Sequence, residues 1–143
     1  MAAGYPRPLV TIAAATVLAL GVRCGVRRVV RVEVQGHSMA PTLWPGDRMV
    51  AVRGLQARQG DIVAARDPRT PSRMLIKRVA AIDADRRLHL AGDDPSASTD
   101  SRTFGPVAGS DLVGRVVWRY WPGDRRGPLP RADPPGGRRQ AFR

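Results

Sequence analysis

The sequence predicts a small, mostly β domain, and three observations predict it. From Val29 the chain alternates with period two: Val30, Val32 and Val34 take turns with Arg31, Glu33 and Gln35, the pattern of a half-buried strand. Short β-like runs then recur between turn signals rich in Pro, Gly and Asp. No amphipathic helical pattern of useful length is present. The 143 residues allow one domain. Both ends differ in composition from the middle, which divides the chain into an apolar and basic N-terminal segment (1–28), one compact β domain (29–121) and a Pro/Gly/Arg tail (122–143).

The first segment holds the only long uncharged apolar stretch, residues 9–22. A membrane-spanning helix wants about 20 residues, and this stretch reaches that length only if Arg7 and Arg23 snorkel at its ends. We read it as an uncleaved single-pass anchor helix. A segment lying flat on the membrane or a cleaved leader are the alternatives. Arg7 precedes it, while Arg23, Arg27, Arg28 and Arg31 follow, a bias that holds the start of the β domain in the cytoplasm. After the first strand come runs at Arg48 to Val52, Asp61 to Ala65, Met74 to Ile82, Leu88 to Leu90 and Leu112 to Tyr120. Pro45-Gly46-Asp47, Gly60-Asp61 and Asp67-Pro68 separate them, and Asp83-Ala84-Asp85 joins two strands as a hairpin. Residues 122–143 have almost nothing apolar to bury and read as a disordered tail.

The formal net charge of +12 raises the question of nucleic acid or an anionic membrane surface. The arginines are scattered, few aromatics interleave with them, and no nucleic-acid motif is present. We read the charge as solubility and attraction to a membrane surface. Cys24 is the single cysteine, so no internal disulfide and no cysteine-built metal site can form. No cofactor or metal is expected.

Of the 24 Lys and Arg residues, Lys77 alone is lysine. Arginine can replace lysine as a surface charge but never as a neutral amine. In an extended run Leu75, Lys77 and Val79 share one face, and Ile76, Arg78 and Ala80 the other. An amine on that apolar face would be desolvated and its pKa lowered. The plainer reading is a snorkelling edge lysine.

Three further segments draw attention. Gly36-His37-Ser38-Met39-Ala40-Pro41-Thr42-Leu43 leaves the first strand and enters a turn, with a serine at its start. Lys77-Arg78 follows an apolar run. Gly92 to Arg102 is a polar loop in which Ser98, Asp100 and Arg102, where extended, point the same way, and Asp100 and Arg102 are placed to pair. In this order the boxes SMxPTL, PGD, KR and GDxxxSxDSR, spanning roughly residues 32–121, resemble those of the type I signal peptidase family of serine proteases.

That resemblance implies a largely β fold and peptide-bond hydrolysis by a Ser/Lys dyad. Ser38 would be the nucleophile and Lys77 the general base. Ser98 would orient the amine, and Asp100 and Arg102 would support the site. The residue types suit the chemistry: a serine hydroxyl needs a base, and a neutral, desolvated lysine can be one. The backbone N–H of Ser38 is one candidate donor to the oxyanion. The best-known bacterial members carry a second serine two residues before the nucleophile, where this chain has Gly36.

Within the family, the runs Gly92 to Pro106 and Gly114 to Pro122 resemble the maturation proteases of nickel-type superoxide dismutase, which remove a short N-terminal pro-segment. Only residues 78–91 separate Lys77 from Gly92, too few for the large inserted β domain of many secretory signal peptidases. The implied partner is a precursor protein: a nickel superoxide dismutase precursor, with secretory preproteins as the alternative. The second substrate would place the catalytic domain outside the cytoplasm. A different class of reading is a non-catalytic basic module that binds an anionic membrane or nucleic acid. A histidine base is disfavoured, because His37 adjoins Ser38 along the chain and His89 lies between Leu88 and Leu90 in a short strand.

Overall fold

The computed structural model describes residues 28–132. Their strands are β1 (Val29–Glu33), β2 (Arg48–Val52), β3 (Ile62–Asp67), β4 (Thr70–Ile82), β5 (Leu88–Ala91), β6 (Leu112–Trp121) and β7 (Gly127–Pro128). They form one antiparallel sheet in the order β1-β2-β6-β3-β4-β5, with β7 added to β6. The mostly β reading therefore holds, and each run seen in the sequence is a strand. Among the described residues no helix is long and apolar enough to cross a membrane. The expected N-terminal anchor helix lies outside the described residues.

β3 is central and is buried on both faces, which explains its unbroken apolar run. Ile62 and Ala64 join Val32, Val34, Met39, Leu43, Met49, Ala51 and Val116 in one core. Val63 and Ala65 join Ala57, Val79, Leu88, Leu90 and Val107 in the other. The β4–β5 hairpin closes through Asp83, whose carboxylate accepts the N–H of Arg87 at 2.8 Å. β4 begins at Thr70, four positions before the apolar run that marks it in the sequence: Thr70 pairs with Asp67 across the turn, and regular pairing with β3 resumes at Met74 after a register shift.

The chain after Trp121 departs from expectation. Residues 122–132 dock on the sheet: Gly127 and Pro128 pair with β6, and Leu129 packs against the first core. Charge rather than apolar surface recruits this segment. Asp47 is fully buried, and its carboxylate accepts from Arg119 at 3.1 Å and from Arg125 at 2.6 Å. Asp61 accepts from Arg131 at 2.8 Å. Burial pushes Asp61 up, but hydrogen bonds from Arg131 and the Arg58 N–H outweigh it and hold the carboxyl below its ordinary value. The remainder of the expected tail, 133–143, lies outside the described residues.

Deleting residues 123–143 should lower stability by about 2 kcal/mol, from lost hydrogen bonds to buried carboxylates, and Tm by roughly 10 °C. Deleting only 133–143 should leave Tm within error of the full chain. Thermal denaturation of the two truncations in parallel checks this.

Candidate active site

Ser38 sits on a turn that follows β1. The turn is closed by hydrogen bonds from the Ala40 N–H to the His37 carbonyl (2.9 Å) and from the Leu43 N–H to the Met39 carbonyl (2.8 Å). Val34 before the serine and Met39 and Leu43 after it are buried in the first core, so the turn is anchored on both sides of Ser38. Ser38 itself is half-buried. Its carbonyl accepts the Asp94 N–H at 3.1 Å, which ties the turn to the loop after β5.

Lys77 stands on β4 opposite Val63 and is only 4% exposed. Its Nζ donates to Ser98 Oγ at 2.9 Å. Burial pushes the amine below the ordinary lysine value, the Asp100 carboxylate opposes this, and the Arg73 guanidinium adds to it; the net shift is downward. Ser98 in turn hydrogen-bonds Asp100. With its O–H directed to that carboxylate, Ser98 presents lone pairs to Lys77, and the amine keeps its own lone pair for another proton. Burial raises Asp100, and hydrogen bonds from the Arg102 side chain and N–H overcome it, leaving the carboxyl below its ordinary value.

Asp100 and Arg102 do pair, at 2.9 and 2.8 Å, but not by the extended alternation expected from sequence. Asp100 is extended and caps a single helical turn, α1 (Ser101–Phe104), accepting the Arg102 N–H at 3.1 Å. The capping geometry brings Arg102 back over the carboxylate.

Ser38 and Lys77 line one cleft of ≈ 410 Å³, walled by residues 33–39 on one side and 72–77 on the other. Gly92 stands where the turn meets the loop. A Cβ there would overlap the Ser38 carbonyl oxygen and Ser98 Oγ, so only glycine allows this approach. Gly36 has φ 83°, a region that side chains rarely adopt, although space for one exists. A serine hydroxyl at this position would strain the backbone, so the site is built without one.

Sequence reasoning assigned no role to Arg78 and Asp93. They form a buried bidentate pair at 2.7 and 2.6 Å. Arg78 also donates to the Gly60 carbonyl at 2.8 Å and reaches Thr42 Oγ1 at 3.4 Å. One guanidinium thus joins the Ser38 turn, the Gly92 loop and the end of the β2–β3 connection. The signal lay in the motifs themselves, which place one charge beside Lys77 and its opposite beside Gly92. His37 lines the cleft beside Ser38 but packs edge-on against Trp44, and His89 lies 3.6 Å from Asp83.

The sequence pattern described as signal peptidase, peptidase S26, matches residues 7–86 and 84–121. The chain belongs to that family. It is 34% identical over 120 residues to mitochondrial ATP-independent inner membrane protease subunit 1b of Arabidopsis thaliana, covering 66% of this chain and 71% of that one. It is 33% identical over 128 residues to mitochondrial inner membrane protease subunit 1 of Homo sapiens, covering 72% and 75%. Against subunit 2 of Mus musculus it is 30% identical over 117 residues, covering 64% and 67%. These relatives are named as subunits of mitochondrial inner membrane proteases, and none of the names singles out the dismutase-maturation branch.

Two outcomes are expected of this site. If Lys77 is the general base, peptide hydrolysis should rise with pH along a limb below 10.5, the ordinary lysine value, as the amine loses its proton. The folded chain binds fewer protons than the unfolded chain across that window, so stability should also rise with pH there. Gly92→Ala should cut kcat/KM about 100-fold by displacing Ser98 and the turn, measured alongside circular dichroism to verify folding.

Proposed function

We propose that the chain is a Ser/Lys serine endopeptidase that removes an N-terminal segment from a precursor protein. One observation carries the reading: the lone lysine is buried, lowered in pKa, held by Ser98, and opens on the cleft that also holds Ser38.

In this mechanism neutral Lys77 Nζ takes the proton of Ser38 Oγ as the oxygen attacks the scissile carbonyl. The Ser38 N–H donates to the developing oxyanion. The protonated amine then gives its proton to the leaving nitrogen, and the new N-terminus departs. Lys77, neutral again, deprotonates a water that attacks the acyl-serine, and Ser38 recovers its proton as the ester breaks. Asp100 steadies the charged amine between the two transfers, and Arg102 keeps that carboxylate ionised.

The cleft suits an extended peptide. β5 pairs with β4 only from Arg78 to Ile82, so the edge of residues 72–77 faces the cleft without a partner strand among the described residues. A substrate strand laid along that edge would hydrogen-bond to the backbone and bring its scissile carbonyl between Ser38 and Lys77.

As substrate we propose the precursor of a nickel-type superoxide dismutase. The resemblance of residues 92–106 and 114–122 to that branch supports it, as do the arginines at 23, 27, 28 and 31, which favour a cytoplasmic site. Secretory signal peptides are the second reading, favoured by the membrane proteases among the relatives.

Purified full chain should cut the pro-segment from a nickel superoxide dismutase precursor. Lys77→Arg should be as inactive as Lys77→Ala, with kcat down at least about 1,000-fold, since arginine keeps the charge and cannot be the base. Near-wild-type cleavage by the arginine variant removes the dyad. Cleavage of a secretory preprotein but not of the dismutase precursor moves the substrate to the second reading.

A further inference from the structure

Among the described residues, the cleft carries one guanidinium with no carboxylate partner. Of its lining residues Arg69, Arg73 and Lys77 are basic and Glu33 alone is acidic. Arg69 is spent: it grips Asp67 through two side-chain bonds, at 3.0 and 2.8 Å, and lies over the Phe104 ring at 5.2 Å. Lys77 is turned to Ser98. Glu33, on the opposite wall, is held by Arg48 at 3.1 Å. Arg73 is exposed, and among the described residues its guanidinium holds no carboxylate in an ion pair or hydrogen bond. Its influence on Asp67 is the weakest of those acting on that group.

Arg73 lies on the stretch of β4 that has no β5 partner, four positions before Lys77, and lines the same cleft. At about 3.3 Å per residue that is roughly 13 Å from the base along the strand. A peptide lying on this edge would pass Arg73 about four residues from its scissile bond.

Resting on the endopeptidase reading, we propose that Arg73 determines specificity by pairing with an acidic side chain of the substrate about four residues from the cleaved bond. A guanidinium presents a planar fork suited to a carboxylate, and the cleft wall removes part of its water. The same charge acts on the catalytic base: it disfavours a proton on Lys77, and a bound carboxylate would soften that effect.

The test uses the purified full chain in detergent micelles and a panel of cleavable peptides. Each peptide carries Asp, Asn or Lys at a single position, scanned on both sides of the scissile bond. Wild type should cleave the Asp peptide about tenfold better than the Asn peptide in kcat/KM, at one position about four residues away. The preference should shrink at high salt. Arg73→Ala should bring the Asp/Asn ratio near one, and Arg73→Glu should turn the preference to Lys. Equal cleavage at every position by wild type, or a preference that survives Arg73→Glu, overturns the proposal and leaves the dyad standing. Loss of binding to phosphatidylglycerol vesicles in Arg73→Ala with the peptide preference intact assigns the guanidinium to a membrane surface instead. A wild-type chain that cuts no peptide brings down the endopeptidase reading and this proposal together.

Discussion

A lysine can serve as a base near neutral pH only if it is kept dry, and the structure is arranged around keeping Lys77 dry. Burial of one amine sets conditions on everything near it. Each buried charge beside it must be paired, or the site would draw in water. The Asp100–Arg102 and Arg78–Asp93 pairs meet that condition on the two flanks of the lysine. The absence of lysine elsewhere follows the same division of labour. Arginine does the pairing because its fork binds a carboxylate with two hydrogen bonds, and on the proposed mechanism lysine is kept for the one place that needs a neutral nitrogen.

The sheet supplies the rigidity. β3, buried on both faces, fixes β4, and Lys77 rides on β4 opposite Val63. The Ser38 turn is pinned by Met39 and Leu43, and the Ser98 loop by Asp93 and the Asp100 cap. Arg78 joins those parts through a single guanidinium. Breaking the Arg78–Asp93 pair from one side would leave a buried charge alone, an arrangement that is strongly destabilising.

Much of this was legible in the sequence, and the reason is periodicity. Strands with one buried face alternate, so β1, β2, β4 and β6 could be placed from Val, Met, Leu and Ile positions. Ser38 and Lys77 stood out through residue type and motif, and the structure brings both to one cleft. What escaped was carried by charge at long range. Asp47 and Arg125 are far apart in the chain, and neither belongs to an apolar pattern, so the docking of residues 122–132 left no local trace. The Asp100–Arg102 pair was foreseen with the wrong geometry, because a helix cap and an extended strand can both bring these two residues together. Gly92 was visible as a motif letter, but its reason, the closeness of Ser38 and Ser98, exists only in three dimensions.

The central claim is that the Lys77 amine is neutral when the enzyme works. Because the chain has no other lysine, isotope-labelled lysine yields one side-chain signal in a magnetic resonance spectrum. Titrating that signal in the folded full chain should give a midpoint below 10.5, and Ser98→Ala should perturb it while Ser110→Ala should not. A midpoint at or above the ordinary lysine value, in a chain that is folded and hydrolyses peptide, would contradict the account.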